Sequence, residues 1–92
     1  MDRLRLVVSR DARDGSVKVH QDVDLYAAVL SEGGAFEYTF RAGRHGWLQI
    51  ARGRVSVNEE ALSAGDGVAF SNERGVKVAA RERAEILLFD LG

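Results

Sequence analysis

The sequence predicts an all-β domain, a jelly-roll barrel or sandwich, and three observations carry the prediction. Glycine, asparagine and aspartate break the chain at short, regular intervals, and no proline shares that work. Between the breaks lie runs rich in valine, leucine, isoleucine and aromatics, which suit a pleated, half-buried surface. No window of about 11 residues sustains a helical stripe, so evenly spaced short strands favour a sandwich or closed barrel over layers of helix and sheet.

The elements follow in order. "LRLVVS" opens the chain as a strand, and the charged "RDARDGS" that follows reads as an exposed loop. "VKVH" and "DLYAAVL" are the next two runs, ending at the turn "SEGG". In "AFEYTF" the alternation is strict: Phe36, Tyr38 and Phe40 share one face, and Glu37, Thr39 and Arg41 the other. After "RAGR" comes "WLQIAR", where His45, Trp47 and Gln49 alternate with Leu48 and Ile50. "RVSVN", "GVAFS", "VKVAA" and "EILLFDL" complete eight or nine strands, separated by "NEE", "SAGDG", "NERG" and "RERA".

Composition bounds what such a domain does. Ninety-two residues hold one hydrophobic core and one domain. Charged residues make up 29% of the chain but sum to −1, so no net field attracts a polyanion, and nucleic acid is not an expected partner. With no cysteine, disulfides, thiolate catalysis and sulfur-ligated metal sites are excluded together. The apolar runs are far shorter than the ~20 residues of a membrane-spanning helix, and "MDRLRLVVSRD" lacks a signal-peptide core, so a soluble cytoplasmic protein without membrane contact is expected.

"LSAGDGVAFSN", a tight turn feeding a strand, together with "GRHGWLQIARGRVSVN", resembles the two halves of the cupin signature, G-x5-H-x-H-x3-E-x6-G and G-x5-P-x-G-x2-H-x3-N. With the closing glycine of the first half on Gly53, the opening one falls on Gly34. The histidine positions then hold Phe40 and Ala42, and the glutamate position holds Gly46; one more residue in the gap moves the histidine positions to Thr39 and Arg41. In the second half Gly65 and Asn72 match, Ser63 replaces proline, Val57 stands at the opening glycine, and Val68 stands at the third histidine. More specifically, "DGSVKVHQDVDLYAAVL", "AGRHGWLQIARGRVSVN", "LSAGDGVAFSN" and "AEILLFDL" resemble the C-terminal cupin domain of pirin-like proteins, the group that includes bacterial quercetinases. The resemblance implies a two-domain parent whose N-terminal cupin carries a metal-dependent dioxygenase centre and whose C-terminal cupin lacks the ligands. Residues 1–92 are therefore expected to form a metal-free C-terminal-type cupin domain without cofactor.

His45, Trp47 and Gln49 are the candidate site. Pointing inward, they make a small pocket with one apolar plate and two polar handles; pointing outward, Trp47 anchors another subunit or domain. The reading preferred from sequence is that Trp47 fills the barrel or an obligate interface, on a strand buried on both sides. His20 and His45, the two imidazoles, have no spacing that fixes them as a metal pair. Asp22 with Asp24, Glu59 with Glu60, and the run Arg81, Glu82, Arg83 and Glu85 read as solvated surface. No serine has the G-x-S-x-G context, and no histidine is placed as its base. The function expected is a non-catalytic interaction module whose partner is an N-terminal catalytic cupin or a second copy. A barrel binding a small aromatic ligand is the alternative, and a quercetin dioxygenase the third reading.

Overall fold

The structure, a computed structural model, describes residues 4–9, 17–18, 23–71 and 74–92. Its strands are β1 (Arg5–Ser9), β2 (Val17–Lys18), β3 (Val23–Leu30), β4 (Ala35–Thr39), β5 (His45–Arg52), β6 (Arg54–Val57), β7 (Glu60–Ser63), β8 (Gly67–Ser71), β9 (Gly75–Ala80) and β10 (Ala84–Leu91). They form a six-stranded sheet, β2-β1-β3-β10-β5-β8, facing a four-stranded one, β4-β9-β6-β7. The all-β expectation holds, and among the described residues no helix is long and apolar enough to cross a membrane.

β10 organises the larger sheet because between Glu85 and Asp90 its residues, Ile86 to Phe89, are apolar on both faces. Ile86 and Leu88 pair with Ala28 and Tyr26 of β3 on one side and with Ile50 and Leu48 of β5 on the other. This inner row meets Val55, Val57, Val76 and Val78 of the smaller sheet, and most of these side chains are fully buried. Leu48 and Ile50, which the alternation places opposite Trp47, lie at the centre of that core.

The first half of β7 escaped the sequence reading, which took "NEE" as a turn and, in the strand-turn-strand unit "LSAGDGVAFSN", reached only Leu62 and Ser63. Asn58 and Glu59 both have positive φ, 46° and 74°, and join β6 to β7 as the two central residues of a tight hairpin. The Asn58 carboxamide accepts the Lys77 backbone N–H at 2.9 Å, tying the hairpin to β9. Gly53, between β5 and β6, has φ 83°, and a Cβ there would lie 2.2 Å from the Arg83 carbonyl oxygen, so only glycine fits.

Candidate functional site

His45, Trp47 and Gln49 all lie on the outer face of the six-stranded sheet, with His45 and Trp47 exposed. The expectation that Trp47 fills the barrel is thereby corrected: its side chain is 39% exposed, and it is the one large exposed hydrophobic residue among those described. β5 is buried on its inner side by the facing four-stranded sheet, while none of the described residues covers the outer face of Trp47. The tryptophan was misassigned because aromatic content alone does not tell which face of a strand meets the core.

The indole is nevertheless held in place. A Cβ added to Gly67 of β8 would lie 2.3 Å from the indole Cζ2, so the ring rests in the space that this glycine leaves open. Trp47 Nε1–H donates to Gln49 Oε1 at 3.2 Å, and Gln49 Nε2–H donates to the Asp66 carbonyl at 3.1 Å. Gln49, one of the two polar handles expected of a ligand pocket, and the indole N–H are thus engaged within the protein. What remains is an apolar cup formed by Trp47 with Leu87, Phe89 and Leu91 of β10, edged by Gln49. The pairing register extends it into a row across four strands, Leu25, Phe89, Trp47 and Ala69, all in the outward phase.

His45 lies in the next cross-strand row, between Leu91 and Ser71, with Nδ1 3.1 Å from the Ser71 hydroxyl oxygen. The sequence had suggested no histidine for any serine; strand pairing between residues 26 apart created this contact. Both residues are exposed, and no carboxylate hydrogen bond to His45 is found among the described residues, so the pair lacks the orienting group of a hydrolytic site. His20, Asp22 and Asn72 lie outside the described residues, as does the whole of the "RDARDGS" loop.

The barrel interior is aromatic where a cupin metal would sit. Phe36, Tyr38 and Phe40 face inward as expected, whereas Ala42 lies exposed in the β4–β5 turn and is not an interior position at all. The Phe40 ring lies over Gly46, and a Cβ there would be 2.3 Å from its Cζ. Phe40 also packs edge-on to Tyr38, with centroids 5.1 Å apart, and against Phe70 at 5.9 Å. Phe40, Gly46, Val68 and Phe70 offer no ligand atom, and the described residues contain no cluster of three or more histidines, cysteines or carboxylates that fits a metal. These residues do not fit a cupin metal centre.

Beyond the aromatic layer lies a polar plug that sequence reading missed. Asp90 is 2% exposed, and its Oδ1 accepts from Arg44 Nε–H at 2.6 Å. Its Oδ2 accepts the Tyr38 hydroxyl, and Arg44 Nη2–H donates to the Asp90 carbonyl at 2.9 Å. The Tyr38 phenol is pushed far above its ordinary range, first by burial and then by the Asp90 carboxylate it bonds. Asp24, read from sequence as solvated, is buried at the neighbouring position of β3, paired in register with Asp90. The signal was present: Asp90 alternates in phase with Ile86 and Leu88.

Residues 6–91 match the family described as the quercetinase C-terminal cupin domain. The chain is 41% identical over 87 residues to quercetin 2,3-dioxygenase of Escherichia coli strain K12, covering 95% of this chain and 38% of that protein. It is 32% identical over 75 residues to a pirin-like protein of Caulobacter vibrioides, covering 82% of this chain and 32% of the relative. The solved structure of YhhW from Escherichia coli superposes with a TM-score of 0.95 at 39% identity, over 100% of this chain and 39% of that one. The same bacterial pirin in complex with nickel(II) gives 0.93 at 40% identity, over 97% of this chain and 39% of that one. The chain thus spans less than half the length of the relatives it matches.

Proposed function

The chain belongs to the quercetinase C-terminal cupin domain family, and from that premise we propose that it is a non-catalytic interaction module whose outer six-stranded face packs against a preceding cupin domain of its own protein. The observation that carries this reading is the contrast between its two outer faces. On the smaller sheet the outward positions include Glu37 ion-paired to Lys77 at 3.6 Å, Ser56, and Arg54 bonded to Glu82, a surface suited to water. On the larger sheet the Arg52–Glu85 ion pair and the His45–Ser71 contact flank an apolar stretch made of Leu25, Leu87, Phe89, Leu91 and a held Trp47.

An apolar patch centred on a pre-positioned tryptophan is the composition of an interface core, because little side-chain entropy remains to be lost when a partner covers it. The occupant follows from length: a match confined to 38% of the dioxygenase relative, by a family named for its C-terminal position, leaves room for a larger domain before it. The interior supports a role without chemistry, since Phe40 occupies the space over Gly46 and the aromatic layer supplies no metal ligands. A small aromatic ligand in the cup is less well supported, because the polar atoms of Trp47 and Gln49 that would orient it are already bonded to each other and to Asp66. A cytoplasmic setting accords with a chain free of cysteine.

The test uses the segment of Escherichia coli quercetin 2,3-dioxygenase that the match leaves uncovered, purified as a separate polypeptide and mixed with this chain. Light scattering after gel filtration is expected to show a one-to-one complex, lost in Phe89→Asp while the variant's melting temperature stays near the parent's. A parent chain that remains alone, with Trp47 emission unaltered by the addition, would overturn the proposal.

A further inference from the structure

The end of the barrel that holds Asp90 carries a second feature, independent of the apolar face. Two backbone hydrogen bonds gather three arginines there. Phe40 N–H donates to the Arg74 carbonyl at 2.8 Å, which sets Arg74 opposite Phe40 and one residue along from Arg41. Arg44 N–H donates to the Arg41 carbonyl at 3.3 Å, closing the β4–β5 turn over Gly43. Arg41, Arg44 and Arg74 together line a cleft whose floor includes Thr39 and Phe40.

The three guanidiniums are not equivalent. Arg44 is buried and committed to Asp90. Arg41 and Arg74 are exposed and form no ion pair with any described residue. Of the two buried carboxylates at this end of the barrel, Asp24 and Asp90, Asp90 has its two oxygens bonded by Arg44 and Tyr38, and its charge is balanced by Arg44. Two like charges with no carboxylate partner among the described residues repel each other across one cleft, and an oxyanion between them relieves that repulsion while accepting hydrogen bonds from two planar forks. The chain as a whole carries a formal charge of −1, so this attraction is local to the cleft.

We propose that the cleft between Arg41 and Arg74 is a binding site for a small multivalent oxyanion, of the phosphate or polycarboxylate class. Arg44 acts as a positioning residue, because its bond to Asp90 fixes the turn that carries Arg41. The site faces away from the core, and its use requires no rearrangement of the aromatic layer.

The experiment is a titration of the isotope-labelled chain with inorganic phosphate, and separately with citrate, followed by amide resonances at constant ionic strength made up with chloride. Saturating shifts confined to residues 39–44 and 74–75 are expected for at least one of the two anions, and the better ligand assigns phosphate or carboxylate chemistry. Arg41→Gln/Arg74→Gln is expected to weaken binding about tenfold or more, whereas Arg83→Gln, which removes an exposed cation elsewhere, leaves it unchanged. Overlay of all other resonances shows that the double variant is folded. Shifts that fail to saturate with both anions, or a double variant that titrates like the parent, would overturn the site.

Discussion

Trp47 rests on Gly67: the indole Cζ2 occupies the position a side chain on Gly67 would need, within 2.3 Å of its Cβ. An interface residue is thus oriented by the absence of an atom on the neighbouring strand, and the Trp47 to Gln49 hydrogen bond fixes what the glycine permits. Gly67→Ala is therefore expected to swing the indole away without touching the buried core. The checks are a red-shifted, more quenchable tryptophan emission and weaker docking. A crystal structure of the variant with the indole unmoved would contradict this account.

Exposure separates Trp47 from its strand neighbours. Trp47→Ala removes a ring that packs on one side only, so a loss of about 1 kcal/mol is expected, well below the ~3–5 kcal/mol of emptying a buried aromatic. Leu48→Ala, at a fully buried position, is expected to cost about 2–5 kcal/mol. Denaturant unfolding of the two variants side by side measures the contrast. A larger loss for Trp47→Ala than for Leu48→Ala would place the indole in the core.

The sequence made the strands legible because their alternation is clean: Phe36, Tyr38 and Phe40 face inward as the pattern requires. It did not reveal which face of β5 the core would take for Trp47, since two apolar sides look alike until the opposite sheet is placed. The same blindness hid the polar plug. Asp24 and Asp90 look like surface carboxylates until antiparallel pairing sets them side by side under Arg44 and Tyr38, residues distant in the chain. Long-range pairing also produced the contact between His45 and Ser71, which no local motif announces.

The β6–β7 hairpin contains a locally unfavourable residue. Glu59 has φ 74°, where a side chain with a Cβ is strained, while Asn58 tolerates its own φ of 46°. Glu59→Gly is expected to stabilise the domain by roughly 0.5–1 kcal/mol, the relief of strain exceeding the added freedom of the unfolded chain. Chemical denaturation at matched pH measures it. A destabilised Glu59→Gly would mean that the glutamate side chain contributes more than its backbone costs.

Burial makes Tyr38 a stability reporter at alkaline pH. Its folded phenol resists ionisation beyond the ordinary range, chiefly through desolvation and then through Asp90, whereas in the unfolded chain it ionises near its usual value of about 10. Below that value both states keep the proton and stability is independent of this group. As pH rises past it, the unfolded state alone loses the proton, so stability falls steadily with pH. Tyr38→Phe removes this dependence and loses the hydroxyl's bond to Asp90, at a cost of about 1–3 kcal/mol at neutral pH because the acceptor is charged. Asp90→Ala is more severe: it leaves the Arg44 guanidinium buried without its counter-charge, for which about 3–5 kcal/mol is expected. Ultraviolet titration of the folded protein checks the first claim: of its two tyrosines, Tyr38 is expected to resist ionisation well above the ordinary range. A parent and a Tyr38→Phe variant whose stabilities decline in parallel above pH ~10 would show that the buried phenol is not the source.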